Sequence, residues 1–597
     1  MISPMTKYDF ILLNGEQEGL LEQLQELGLV DISRGSKPVD DASHQLLSEV
    51  ELIDGLIKGL KGADIPEGTV PEPIDGEIVR FAGGMLMRYA EDADEIKRLR
   101  KELERLRIWG DFDPALLEKL KAAGVPLHFH VCSSKQFKAE WEGEYALSII
   151  GADKSSTYFV VAGDDALPGE VPAPASDYHG MEEKLREKEQ HFSRVLARIA
   201  GAKRRIPELE TLRAEALSKL DLYLAGATAA KAAEDHIVTL EGFASVADEA
   251  AITAKLDELG VLYLKEAAKV EENPPISFMN NAFVRLFEPL TDMYGRPAYN
   301  GFDPTPFIAV FFMLFFAFCM GDAGYGLLLM LVGLGLRKVE GFKDLSPLVV
   351  TLGAGTTLVG FFFHTFFSMN IAEWGLFAPI RGIFLPEHLF GLGNFDAAMV
   401  LAILIGVVHI CLALIVKTVA ATRVKGFLHS LGTWGWTLLI VGGVVVGGIA
   451  LAGVISAAVT KWIVIILGVV SALGIFIFSD LDRNPLVNIG SGLWETYNTA
   501  TGLLGDVLSY LRLYALGLAG AKLGEAFNAI GTMILGDGSS VALWIPFILI
   551  VVIGHTLNLA MCALGAFVHP LRLNFLEFFK NSGYEAVGRK FNPLSKQ

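Results

Sequence analysis

Cysteine is scarce. Cys132, Cys319, Cys411 and Cys562 are the only four in 597 residues, and their wide spacing gives neither a disulfide framework nor a zinc knuckle. Glycine is never followed by lysine, so the loop that cradles nucleotide phosphates is absent. If ATP matters to this chain, another chain binds it. Basic charge is also short: 50 Lys and Arg stand against 68 Asp and Glu, a net charge of −18. That excludes the basic footprint nucleic acid needs. The opening MISPMTKYDFILLNG lacks a basic stretch leading into an apolar core. It does not read as a secretory signal, and the N-terminal half is expected to stay cytoplasmic.

Apolar residues are abundant, at 52%, and unevenly spread. The first 300 residues or so are charged and punctuated like a soluble protein, whereas apolar runs of membrane length dominate from Pro304 onward. In the soluble part, YDFILLNG reads as a strand. EQEGLLEQLQELGLVDI then reads as an amphipathic helix, a stop at Gly28 and a second strand. Ile96, Leu99, Leu103 and Leu106 recur at 3-4-3 spacing among charges, a heptad seam. A compact strand-rich segment follows, then a second long charged helix that Pro207 should kink or restart. His128, His130 and Cys132 alternate along one of those strands and share a face. With no fourth ligand evident, they read as a strand face rather than a metal site.

Two long helices around one compact segment imply an antiparallel hairpin with a lobe at its tip. The expected fold is a cytoplasmic α/β dumbbell over residues 1–300 and an α-helical membrane domain over 301–597. Within the dumbbell, 1–78 and 229–300 would form a proximal lobe, 79–110 and 179–228 a helical shaft, and 111–178 a distal lobe.

Membrane-length apolar runs lie near 346–368, 395–416, 428–454, 456–478, 490–531 and 541–579. The last two exceed the roughly 20 residues of a perpendicular span, so they must tilt, project or bend. The block 305–336 is one long span or a pair broken at MGDAGYG. Charge decides between them, because Lys and Arg gather on the cytoplasmic side. With two short passes there, the clusters Arg337/Lys338/Lys343, Lys417/Arg423/Lys425, Arg483 and Lys580/Arg589/Lys590 all face the soluble half. Arg381 and Lys461 are then the exceptions. This gives eight transmembrane helices, the last two long and tilted, with both termini cytoplasmic.

Two arginines stand in the apolar text of the last two runs: Arg512 in SYLRLYALGLAG and Arg572 in FVHPLRLNFLEFF. At the bilayer centre each costs at least about 2.5–3.5 kcal/mol. At about 100° per residue, Glu495, Asn498, Asp506 and Ser509 share a broad face with Arg512, as His555, Asn558 and His569 do with Arg572. The plainer alternative is that these stripes pair inside a helical bundle. Glu495 and Asp506 are then the natural partners, and Gly502, Gly505 and Gly565 would permit close packing. A Glu or His in a water-filled path would instead relay protons.

DVLSYLRLYALGLAG and HTLNLAMCALGAFVHPLRLNFLEFF, with NNAFVRLFEPLTDMYGRPAYNGFDPTPF, FFAFCMGDAGYGLLL and VTLEGFASVAD, resemble subunit I of the V/A-type ATPases. That family is the prokaryotic counterpart of vacuolar ATPase subunit a. The resemblance covers essentially the whole chain. It implies a stator in a prokaryotic plasma membrane, bound to peripheral-stalk E/G heterodimers, to a rotating c-type (K/L) ring and to the central-stalk collar subunit. It implies no cofactor, and H⁺ or Na⁺ as the ion moved. Arg512 and Arg572 match the family's paired arginines. Glu495, Asn498, Asp506, Ser509, His555, Asn558, His569 and Glu577 would line two offset half-channels. The chain departs from the vacuolar pattern at two positions: Gly520 stands where those relatives carry a His, and Cys562 where they carry a Glu. Two other classes remain open: a secondary transporter, which would show internal repeats and broken helices around a midplane site, and a structural membrane anchor, in which the arginines would be dispensable.

Overall fold

A computed structural model describes the chain apart from residues 14, 35–38, 111, 134–135, 139, 153–155, 164–166, 174–176, 233–235, 340, 374–381, 383, 387–394, 479–484, 537–540 and 597. Arg381 and Arg483 thus lie outside the described residues. The chain divides into two compact units, Ile11–Leu240 with Leu594–Gln597, and Met1–Phe10 with Glu241–Pro593.

In the first unit, strand β1 (Met5–Leu13) leads into α1 (Gln17–Leu27) and β2 (Val30–Ile32). Gly28 ends α1 at φ 65, a left-handed conformation that glycine adopts without steric penalty. Helix α2 (Asp41–Gly62) opens on a capping box between Asp40 and Ser43. Helix α3 (Ile78–Leu106) carries the heptad seam. Then come α4 (Pro114–Ala122), β3 (Leu127–Ser133), α5 (Trp141–Glu144), β4 (Leu147–Ala152), β5 (Ser156–Ala162) and β6 (Glu170–Val171). The four strands form an antiparallel sheet in the order β4-β5-β3-β6. On β3, His128 Nδ1 meets Glu170 Oε1 at 2.7 Å, and buried His130 stacks on Phe159 at 5.1 Å. The helical pattern resumes in α6 (Tyr178–Arg204) and restarts at Pro207 in α7 (Ile206–Ala227). The short strand β7 (Ala230–Ala232) pairs with β8 (Ile237–Ser245).

The heptad residues Ile96, Leu99 and Leu106 bury against Met181 and Leu185 of α6. Each fully buried side chain of this kind is worth about 1.5–3 kcal/mol. Lys188 brackets the same contact, 2.9 Å from Asp92 and 2.6 Å from Glu95.

In the second unit, the start of β1 lies between β8 and β9 (Leu262–Ala267), and α8 (Glu249–Leu259) links β8 to β9. Tyr8 and Phe10 are fully buried there. Two short helices, α9 (Ala282–Arg285) and α10 (Glu288–Tyr294), precede the apolar block. That block is two helices, α11 (Thr305–Met320) and α12 (Ala323–Leu336). Asp303 accepts from the Thr305 N–H at the start of α11. Gly321, at φ 55, ends α11, and the Asp322 carboxylate caps α12.

Helix α13 (Ser346–Phe362) and the hairpin β10 (Thr365–Phe366) and β11 (Met369–Asn370) follow. Then come α14 (Ala397–Lys425), α15 (Leu431–Leu451), α16 (Ala457–Ala472), α17 (Pro485–Ser509), α18 (Leu511–Leu535), α19 (Val541–Arg572) and α20 (Phe579–Ser582). Among the described residues, five helical stretches are long and apolar enough to cross a membrane: Ala397–Lys425, Leu428–Leu451, Ala457–Ile477, Asn488–Leu535 and Val541–Ser582. Helices α11, α12 and α13 are apolar but shorter, at 16, 14 and 17 residues. Their common core gathers Phe312, Phe315, Tyr325, Tyr510, Leu513 and Phe578.

Candidate functional site

The two arginine-bearing helices are irregular beside their arginines. Tyr510 alone separates α17 from α18, two residues before Arg512. Its N–H bonds to Val507 O at 3.2 Å, and its carbonyl accepts from Leu513 N at 3.0 Å. Both are i→i−3 bonds, a local tightening of the helix. On the other side, α19 passes straight from Arg572 into a π-helical stretch, Leu573–Phe578. Pro570 brings no N–H, and the Asn574 side chain donates to the Pro570 carbonyl at 2.9 Å.

Arg512 is half-buried, and its Nη1 is buried without a hydrogen-bond partner among the described residues. Arg572 is exposed. Both guanidinium charges act on the imidazole of His569, whose Nδ1 is likewise unsatisfied among the described residues. Glu577 is buried at 4% exposure and lies in the field of Arg512 and Asp506; its Oε2 has no partner among the described residues. A guanidinium nitrogen and a carboxyl oxygen buried without hydrogen bonds are both costly, so the described residues leave this cluster partly unsatisfied.

On one side of it lies a polar cavity of about 370 Å³ walled by α14, α15, α17 and α20, with Lys417, Lys425, Glu495, Asn498, Asp506 and Lys580 in its lining. Glu495 and Asn498 are exposed in its wall. The expectation that Asp506 partners an arginine needs correction: its two oxygens each lie 3.2 Å from Lys580 Nζ, and Asn581 Nδ2 donates to it at 2.8 Å. Ser509 turns back to its own helix, donating to Gly505 O at 3.0 Å. Ser509 and Arg512 both face the Glu577 carboxyl across the interruption at Tyr510.

Of the expected packing glycines, Gly502 and Gly505 need the same correction, whereas a Cβ on Gly565 would meet Leu516 of α18 in ordinary contact at 4.0 Å. A Cβ on Gly505 would meet nothing within 4 Å, and one on Gly502 would meet only Lys580 Nζ, at 3.6 Å. Gly502 lines the cavity. Close approach of α18 and α19 occurs instead at Gly520, where a Cβ would lie 2.5 Å from Cys562 Sγ, and at Gly554, where it would lie 2.5 Å from Phe527.

A second polar region lies farther along α18 and α19. Asn528 Nδ2 donates to Phe367 O at 2.9 Å, which turns its carbonyl oxygen toward His555 Nε2, 2.9 Å away. His555 therefore carries its proton on Nε2, and Nδ1 accepts from the Tyr325 hydroxyl at 2.7 Å. Asn558 Nδ2 donates to Tyr325 Oη at 2.8 Å and to Gly520 O at 2.9 Å. Asp322, 4% exposed, accepts from the backbone N–H groups of Tyr325, Phe367 and Ser368. The residues missed from sequence are Asp322, Tyr325 and Asn528. The signal for the first two was the polar text inside MGDAGYG, which reads as a simple break.

The arrangement is two polar regions on different helices, an open cavity walled by α14, α15, α17 and α20 and a closed hydrogen-bonded network among α12, α18 and α19, and in chain order each arginine stands between residues of the two. Such a site can hand protons or small cations from either side to a carboxylate that reaches the guanidinium. Among the described residues no group of three or more His, Cys, Asp or Glu could hold a metal ion.

The model of the V-type ATPase 116 kDa subunit family matches residues 169–341 and 498–596, the second stretch holding both arginines. The A-type ATP synthase subunit I of Methanocaldococcus jannaschii is 27% identical over 98% of this chain and 82% of its own length. The V-type ATP synthase subunit I of Borreliella burgdorferi is 25% identical over 100% of both chains. A crystal structure of the cytoplasmic N-terminal domain of subunit I, homolog of subunit a, of V-ATPase aligns with 45% of this chain and 100% of its own at 14% identity, with a TM-score of 0.21, too low for any shared arrangement to be argued from it. The family model, the end-to-end relatives and the two arginine motifs together make the chain similar to the V-type ATPase 116 kDa subunit family and to subunit I of the V/A-type ATP synthases.

Proposed function

We propose that this chain is the membrane stator of a rotary V/A-type ATPase, coupling H⁺ or Na⁺ movement to ATP synthesis or hydrolysis carried out on other chains. The observation that carries this reading is the half-buried Arg512, whose Nη1 is unsatisfied among the described residues and which stands in chain order between the residues of two separate polar regions. A c-type ring carries one carboxylate per subunit past this point. Loaded and neutral, the carboxylate faces lipid. Beside Arg512 and Arg572 it gains a cationic partner, its ionised form is favoured, and the bound ion leaves. A guanidinium suits this step because it stays charged and offers a planar fork to a carboxylate.

The cavity bounded by Lys417, Lys425 and Lys580 is the cytoplasmic half-channel in this account, because Lys and Arg mark the cytoplasmic face. Glu495, Asn498, Asp506, Ser509 and Glu577 serve that side. His555, Asn558 and His569, with Tyr325 and Asn528, serve the opposite one. The short helices α11 and α12 each make a pass, giving eight in total with both termini cytoplasmic, in a prokaryotic plasma membrane. The N-terminal part is a dumbbell. Its lobe at 111–178 tips a helical hairpin and holds the peripheral-stalk E/G heterodimers, and the collar subunit of the central stalk binds nearby.

The test is purification of the intact complex from its native membrane and identification of the co-migrating chains. Ring and stalk subunits are expected in fixed ratio. A complex without a proteolipid ring contradicts the stator reading and leaves the anchor.

A further inference from the structure

His409 on α14 is fully buried and belongs to neither polar region. One face of its ring lies on Phe311 at 4.1 Å, and Phe578 stacks on it at 4.7 Å with an interplanar angle of 7°. Phe315 meets it edge-on at 5.1 Å. Its Nδ1 shares a hydrogen bond of 2.9 Å with the Tyr510 hydroxyl. Its Nε2 has no partner among the described residues.

The two contacts across helices are not arbitrary ones. Tyr510, itself 0% exposed, is the single residue that interrupts α17 and α18 just before Arg512. Phe578 closes the π-helical stretch that begins just after Arg572. One imidazole therefore touches both irregularities, the tightened one and the widened one. The backbone of α14 is shaped for this: a Cβ on Gly406 would lie 2.3 Å from Cγ of Tyr510, so only glycine admits that ring. Aromatic packing alone does not account for a histidine. A phenylalanine at 409 would stack as well and would leave no ring nitrogen unsatisfied in an apolar pocket.

We propose that His409 is a positioning residue: by holding the Tyr510 hydroxyl and the Phe578 ring together, it sets where Arg512 and Arg572 stand relative to each other. Interruptions and π-bulges recur at functional sites because they re-aim side chains, and such a site must be held by neighbours whose own rotamers are locked. The proposal rests on the stator reading, since what is positioned is the arginine pair that reading uses.

The experiment compares variants in the reconstituted intact complex, measuring ions moved per ATP hydrolysed, with co-purification of the other chains as a control. Tyr510→Phe keeps the ring against Gly406 and removes only the hydroxyl. It is expected to lower ions per ATP about tenfold with subunit content unchanged, as small misplacements at reacting centres do. His409→Phe should lose a similar factor, and the double variant no more than either alone. His409→Gln, which can still bond the hydroxyl, should recover most of it. Wild-type coupling in Tyr510→Phe overturns the proposal. So does a loss that tracks loss of subunits, because the contact would then serve assembly only. Arg512→Ala in the same vesicles separates the two failures: transport there defeats the stator reading itself, whereas its absence alongside a fully active Tyr510→Phe defeats the positioning role alone.

Discussion

At the scale of single residues, the arginines were legible because a permanent cation in apolar text has few explanations. The polar residues of the network around His555 were less so. Asp322, Tyr325 and Asn528 act through partners from distant elements, and nothing in their local spacing announces this. The two departures from the vacuolar pattern prove to be one spatial feature. Gly520 and Cys562 face each other, with room for a hydrogen but not a methyl between backbone and sulfur. Gly520→Ala should therefore push α18 from α19 and destabilise the pair by about 1–3 kcal/mol, the usual range for overpacking. Cys562→Ala in the same chain removes the offending Sγ and should restore most of the loss. Thermal unfolding of the two variants in detergent checks this; equal stability of Gly520→Ala and the parent would mean the helices do not meet as closely as described.

At the scale of elements, the two long helices flanking the strand-rich segment were readable from the sequence, whereas α2 and α4 were not. The heptad positions of α3 are the ones buried against α6, and Pro207 restarts the helix at α7. The break at Tyr510 was not readable, because no proline or glycine marks it. It coincides with tertiary contacts: the Tyr510 hydroxyl bonds to His409 and its ring lies against Gly406. The α3–α6 contact also carries a pH prediction. Burial works against the charged form of Asp92, but the hydrogen bonds and charges of Lys188 and His191 outweigh it and hold the carboxyl below its usual range. A depressed carboxyl contributes stability above its unfolded value, near 3.9, and loses it as pH falls through the lowered folded value. Amide protection in α3 and α6, measured against the intrinsic exchange rate at each pH, should fall on acidification below about pH 4. Asp92→Asn should raise exchange at neutral pH, by about 1–2 kcal/mol, and remove part of the acid response. An unchanged acid response in Asp92→Asn would assign it to other groups.

At the scale of the whole molecule, composition separated a charged half from an apolar one, and charge placement gave the expected sidedness. Among the described residues five helical stretches are long and apolar enough to cross a membrane, and the block 305–336 is a pair of helices. Cysteines substituted at Lys425 and at Lys461 test the sidedness directly. An impermeant thiol reagent applied to intact cells should reach position 461 and not 425. Labelling of 425 from outside would invert the assignment of the lysine-lined cavity to the cytoplasm.

The account turns on Arg512 as the charge that empties each passing carboxylate and keeps the two polar regions from joining. Its most direct measurement is ion transport by the Arg512→Ala complex in sealed vesicles, beside ATP hydrolysis and a subunit inventory. Assembly is expected to be complete and transport abolished. Arg512→Lys should retain little, because lysine keeps a charge but lacks the fork and can shed its proton when buried, and Arg572→Ala should be comparable or slightly milder. Full transport by a correctly assembled Arg512→Ala complex would contradict the mechanism and leave the chain as an anchor.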